Sequence, residues 1–141
     1  MVNLVGFVEN SKTPKYFQRS KLHLNPIQWE EPFGLTTIES MSCGTPVVAF
    51  ARGSMPEIIK DGENGLLVNP SDTDIRGDWI IKRTGVAGFI DAVNWIYRMS
   101  TIDYRSMRIK CSKYVQENFT IDTMVKKYEA LFLKETRKAS Q

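Results

Sequence analysis

Residues 31–72 decide the fold: EPFGLTTIESMSCGTPVVAFARGSMPEIIKDGENGLLVNPSD. Within them Pro46–Ala51 holds Val47, Val48, Ala49 and Phe50 without a polar break, the pattern of a strand covered on both faces. Gly65–Val68 is a second such run, closed by Asn69-Pro70. Between them Arg52-Gly53-Ser54 turns into a short helix over Met55–Lys60, and Asp61-Gly62-Glu63-Asn64-Gly65 is a turn cluster. Upstream, Leu35, Ile38 and Met41 recur at helical spacing. That predicts a helix opening at Gly34 or Leu35 and stopped by Gly44 and Pro46.

Working outward, Pro26–Phe33 reads as a loop, with Trp29, Pro32 and Phe33 as core cover. Lys21–Asn25 reads as a period-2 strand with Leu22 and Leu24 on one face and His23 on the other. Ser11 or Thr13 is placed to cap a short helix with Pro14 in its first turn, running toward Ser20. Met1–Val8 reads as a short buried strand. On the other side Ser71–Gly85 is a polar surface loop. Helices are predicted at about Val86–Met99, Asp103–Glu117 and Ile121–Thr136, the last capped by Thr120, with a frayed tail at Arg137–Gln141. Strands alternating with helices imply an α/β domain: about four short parallel strands with helices on both faces.

The 141 residues suit one domain. With 42% hydrophobic and 25% charged residues, the chain has the composition of an ordinary globular protein and not of a disordered one. No run reaches the roughly 18 apolar residues of a membrane span. Met1–Gly6 has no basic region leading into a long apolar stretch, so no secretion signal is expected. A cytoplasmic protein follows, with Cys43 and Cys111 as two buried thiols and not a disulfide. The single histidine, His23, and the absence of any CxxC leave no zinc site. The last 41 residues carry 9 basic and 5 acidic groups. A solvated helical face is the favoured reading over contact with nucleic acid or anionic lipid.

No GxGxxG, no P-loop, no GxSxG and no HExxH is present. Glu31 and Glu39, seven residues apart, are the candidates that remain. Glu31 lies in a loop after a strand and Glu39 within the helix that follows. Gly34 and Leu35 form the helix entrance, whose unpaired N–H groups and dipole suit a phosphate, and Thr36 and Thr37 add hydroxyls. Five residues of helical rise put Glu39 roughly 7–8 Å beyond Gly34. One carboxylate can therefore lie on each side of a pyrophosphate, Glu39 toward ribose hydroxyls and Glu31 toward sugar hydroxyls. The competing account is a loop carboxylate and an exposed helix residue without a ligand.

Glu31–Glu39 matches the E-x7-E motif of the group 1 glycosyltransferases (family four, retaining, GT-B fold). The whole stretch 31–72 resembles that family's donor site. VNLVGFVENSKTPKYFQRSKLHLNP (2–26) resembles the elements before it, and CSKYVQENFTIDTMVKKYEALF (111–132) resembles its closing helices. The resemblance implies a Rossmann-like three-layer domain over 1–141, alternating strands and helices in 1–70 and closing helices in 86–136. It implies a nucleoside-diphosphate-sugar donor, retaining transfer of a hexosyl group to a glycan or lipid acceptor, and no cofactor or required metal. Carried over, Glu31 is the catalytic-site carboxylate on the donor sugar and Glu39 holds the ribose. The backbone N–H groups of Phe33, Gly34 and Leu35 hold the pyrophosphate with Thr36 beside them. Glu57 in RGSMPE is structural.

The chain departs from the family in length. It resembles only the later part of the donor-binding domain. The family's Arg/Lys pair that grips the diphosphate has no counterpart, and Arg52, Lys12 or Lys15 are not placed to replace it by any motif. The expected partners are a nucleotide-sugar donor, an acceptor, and a missing N-terminal domain or partner chain. A free sheet edge is where a second copy would pair, peripheral membrane contact is compatible with the basic last third, and nucleic acid is not expected. The chain alone is expected to be weakly active or inactive. The rival readings are a non-enzymatic nucleotide-sugar-binding module and an oligomerising interaction fragment.

Overall fold

The computed structural model describes residues 2–139, the last three by their backbone only. Three parallel strands, β1 (His23–Asn25), β2 (Val47–Phe50) and β3 (Gly65–Val68), form one sheet in the order β1-β2-β3. The helices are α1 (Thr13–Arg19), α2 (Leu35–Ser42), α3 (Met55–Ile58), α4 (Gly85–Arg98), α5 (Thr101–Asn118) and α6 (Ile121–Ala139). His23 pairs with Val47, and Val47 with Gly65, so all three strands end on one side of the sheet.

The all-apolar strands are buried on both faces, as their composition requires. Val47, Ala49 and Leu67 face a cluster with Ile38 and Met41 of α2 and Cys111 and Val115 of α5. Val48, Phe50, Leu66 and Val68 face the other way, onto Phe89, Ala92 and Ile96 of α4. The result is three layers: α2 and α5, the sheet, then α4. Gly44, at φ +72°, turns the chain out of α2, as the sequence predicts. Thr120 accepts the Thr123 N–H at 3.1 Å and caps α6.

Several expectations need correction. Among the described residues there are three strands and not four: Val2–Val8 forms none, and Val2, Leu4 and Phe7 are 87–94% exposed. Its apolar pattern is strand-like, but among the described residues no strand lies beside it to exchange hydrogen bonds. The short helix after β2 stops at Ile58 and not Lys60. Helix α5 begins at Thr101, because Ser100 and Asp103 form a reciprocal cap: Ser100 Oγ accepts the Asp103 N–H at 3.1 Å and donates to Asp103 Oδ2 at 2.7 Å. Of the two free thiols only Cys111 is buried; Cys43 is half-buried. Burial pushes the Cys111 thiol up to about 12. The expected fraying at 137–141 meets a helical backbone as far as Ala139, and Ser140 and Gln141 lie outside the described residues. Among the described residues no helix is long and apolar enough to cross a membrane.

His23, packed edge-on against Phe17, is held below the usual imidazole range by burial. The unfolded chain therefore takes up a proton near pH 6.5 that the folded chain resists. The folded state keeps its full margin above that value and loses part of it as pH falls toward the folded pKa. As the only histidine it gives a clean test. Between about pH 7.5 and 5.5 the wild-type melting temperature is expected to drop more than that of His23→Gln. Parallel curves for the two proteins would show that His23 titrates normally.

Candidate functional site

Three loops meet at the carboxyl ends of the parallel strands: 26–34 after β1, 51–54 after β2 and 69–84 after β3. That is where open parallel sheets bind ligands. Helix α2 starts there, seated by buried polar contacts. Asn25 Nδ2 donates to Thr37 Oγ1 at 2.9 Å and lies 3.5 Å from Met55 Sδ. These fix the first turn of α2 beneath the end of β1.

Gly34 precedes α2 in the left-handed region, φ +79°. A Cβ there would stand 2.3 Å from Met55 Cε, the end of a flexible side chain that can give way, so it is the left-handed backbone that favours glycine at this position. No side chain caps the helix. The N–H groups of Phe33, Leu35 and Thr36 find no acceptor among the described residues. The Gly34 N–H does: Glu31 Oε1 accepts it at 3.1 Å, while Glu31 Oε2 accepts the Trp29 indole N–H at 3.2 Å.

The structure thus brings Glu31, Gly34, Leu35 and Thr36 together at one helix entrance. Glu39 follows one turn on, half-buried, its carboxylate unpaired among the described residues. Thr36 is exposed, whereas Thr37 is buried and serves the fold. Trp29, Pro32 and Phe33, read as core cover, are exposed instead. Phe33 stacks edge-on with Phe119, 6.3 Å between centroids, beside a hollow of about 540 Å³ that it lines with α6. Ser54 Oγ and Arg52 Nε are buried without a partner among the described residues. Glu57 is exposed, and its backbone carbonyl accepts the Tyr114 hydroxyl at 3.2 Å.

Sequence reasoning missed Glu30. Its Oε2 accepts the Gly53 N–H at 2.6 Å and its Oε1 meets Arg52 Nη1 at 3.2 Å and Arg76 Nη2 at 2.8 Å. Those donors hold the Glu30 carboxyl below its usual range, the Arg76 hydrogen bond most of all. Nothing local signals this, because the partners lie 22 to 46 positions away in sequence. The same bonds decide the question of Arg52, which is engaged by Glu30 and by Asp74 at 3.0 Å. Lys12 pairs with Glu9 at 2.9 Å.

The family model for glycosyl transferases group 1 matches residues 1–82. D-inositol 3-phosphate glycosyltransferase 2 of Catenulispora acidiphila is 35% identical over 92 residues, which is 65% of this chain and 20% of that protein. The fold is similar to sucrose-phosphate synthase of Thermosynechococcus elongatus (TM-score 0.73, 25% identity, 95% of this chain and 30% of that one). It is also similar to Anabaena HepE, solved in complex with UDP-glucose (TM-score 0.65, 21% identity, 86% of this chain and 29% of that one). The chain spans about a fifth of that curated relative and under a third of those two structures. With more than half its length matched by the family model, the chain belongs to the group 1 glycosyl transferases.

Proposed function

We propose that this chain is the donor-nucleotide half of a retaining glycosyltransferase. One observation carries the reading: unpaired N–H groups at the entrance of α2, flanked by Glu31 and Glu39. The bond from the anomeric carbon to the diphosphate oxygen breaks and the diphosphate keeps the electron pair. A hydroxyl oxygen of a glycan or lipid acceptor bonds the same carbon on the same face, and its proton passes to the departing diphosphate oxygen. The charge that develops on the leaving diphosphate is met by N–H groups already aimed at it and by the positive end of α2. Glu39 accepts the ribose hydroxyls. Glu31 turns from Gly34 and Trp29 to the hydroxyls of the hexosyl group, which frees the Gly34 N–H for the diphosphate.

The reaction as proposed takes no cofactor and no metal held by this chain. Arg52 and Lys12 already have acidic partners and no motif assigns Lys15 to the phosphate, so in this reading the cations that grip the diphosphate come from a partner domain or chain, and the chain alone is weakly active or inactive. We place the assembled enzyme in the cytoplasm, where its basic last third can face an anionic membrane surface.

Calorimetric titration with UDP, GDP and ADP tests this. One diphosphate is expected to bind, and Glu39→Ala to weaken it by roughly 10- to 100-fold, the scale of a lost charge-assisted pair of hydrogen bonds. A folded chain that binds none of the three, or a Glu39→Ala that binds as well as wild type, contradicts the reading. Self-association without nucleotide affinity would favour the interaction-fragment alternative.

A further inference from the structure

The loop after β3 is tightly built. Buried Asn69 organises it: its Oδ1 accepts the N–H groups of Arg76 at 2.7 Å and Gly77 at 3.2 Å and the Trp79 indole N–H at 3.2 Å, and its Nδ2 donates to the Gly77 carbonyl at 2.9 Å. This presents the Arg76 guanidinium toward the loop after β1. Arg76 grips Asp74 with Nε at 2.6 Å and Nη2 at 3.1 Å, and reaches Glu30 with Nη2 at 2.8 Å. Arg52 closes the ring between Glu30 and Asp74. Two cations and two carboxylates therefore tie together the loops that follow all three strands.

Glu30 is the residue next to Glu31. Its side chain is fixed by Arg76, Arg52 and the Gly53 N–H. The Glu31 carbonyl accepts the Ser54 N–H at 2.8 Å, and a Cβ at Gly53 would stand 2.2 Å from that same oxygen. With the backbone clamped on both sides of one peptide, the Cα–Cβ direction of Glu31 is set, and with it the arc its carboxylate can sweep between Gly34 and a ligand. Isolated surface ion pairs do little, but a bidentate arginine within a network is the arrangement that holds geometry.

We propose that Arg76 is a positioning residue: through Glu30 it sets where the Glu31 carboxylate points, and so couples the loop after β3 to recognition of the donor's sugar. This rests on the reading of Glu31 as the sugar-side carboxylate. Arg76 touches no reacting atom; it acts through Glu30.

The three tryptophans make the coupling visible without a ligand. The Trp29 indole N–H reports the Glu31 carboxylate it donates to, and the Trp79 indole N–H reports the integrity of the loop. In nitrogen-15 correlation spectra Glu31→Ala identifies the Trp29 signal that has lost its acceptor. Arg76→Gln is expected to move that signal the same way while Trp79 stays. Glu30→Ala cuts the same link from the far side without touching the loop, and is expected to reproduce the displacement. If Trp29 keeps its wild-type position in either variant, the coupling is overturned. A titration then separates this from the function: Arg76→Gln is expected to bind UDP-glucose roughly 5- to 10-fold more weakly, and UDP within about twofold of wild type, a pure loss of orientation at the sugar end. Equal weakening for both ligands overturns the proposal. A wild-type chain that binds neither ligand removes the donor-site reading, and the indole comparison still decides whether Arg76 positions Glu31.

Discussion

Gly53→Ala is expected to lower the melting temperature by roughly 6–12 °C, the equivalent of about 2–4 kcal/mol in a domain of this size. Gly53 has φ +51°, a conformation that costs an L-residue about 1–2 kcal/mol. A Cβ there would also stand 2.2 Å from the Glu31 carbonyl oxygen and 2.4 Å from its nitrogen, and backbone atoms cannot rotate away as a side-chain end can. The collision pushes the 30–31 peptide off the turn. It threatens the Ser54 N–H bond to Glu31 and the Gly53 N–H bond to Glu30, worth about 0.5–1.5 kcal/mol for a neutral bond and more for the charged one. Donor-sugar binding should fall with stability, because Glu31 moves. A thermal melt of Gly53→Ala within about 2 °C of wild type would show that the two turns are not clamped together.

Leu67→Ala is expected to cost about 2–5 kcal/mol, the range for emptying a leucine-sized space in a core. Leu67 is fully buried on β3 among Met41 of α2, Ile59 and Cys111 of α5, so its loss opens the layer that seats α2. Leu35→Ala is the control: Leu35 is 59% exposed, and its truncation should stay within about 0.5 kcal/mol. Urea denaturation of both variants measures the difference. A Leu67→Ala midpoint equal to that of Leu35→Ala would contradict the three-layer packing.

How far the sequence could be read follows from the range of the interactions involved. Strands β2 and β3 were legible because burial on both faces writes four apolar residues in a row, and α2 because Gly44 and Pro46 stop it within a few positions. The placement of Glu31, Gly34, Leu35 and Glu39 was legible for the same reason, since a loop, a helix entrance and one helical turn are local; their reading as a donor site rests on the family resemblance. Val2–Val8 was misread because a strand is completed by its neighbour, and apolar alternation says nothing of whether a neighbour is there. Glu30 was invisible because its meaning lies in Gly53, Arg52 and Arg76, on two other loops that only the parallel sheet brings beside it. The start of α5 could have been found: Ser100 followed by Asp103 is a capping pattern in plain view.

The central claim is that the entrance of α2 receives the diphosphate of a sugar nucleotide. Amide chemical-shift mapping of the wild-type chain titrated with UDP tests it most directly. The largest displacements are expected at Phe33, Gly34, Leu35 and Thr36, with the Trp29 indole moving as Glu31 releases Gly34. Displacements that cluster elsewhere, as in the hollow between α4 and α5, or a spectrum unchanged at saturating UDP, would contradict it.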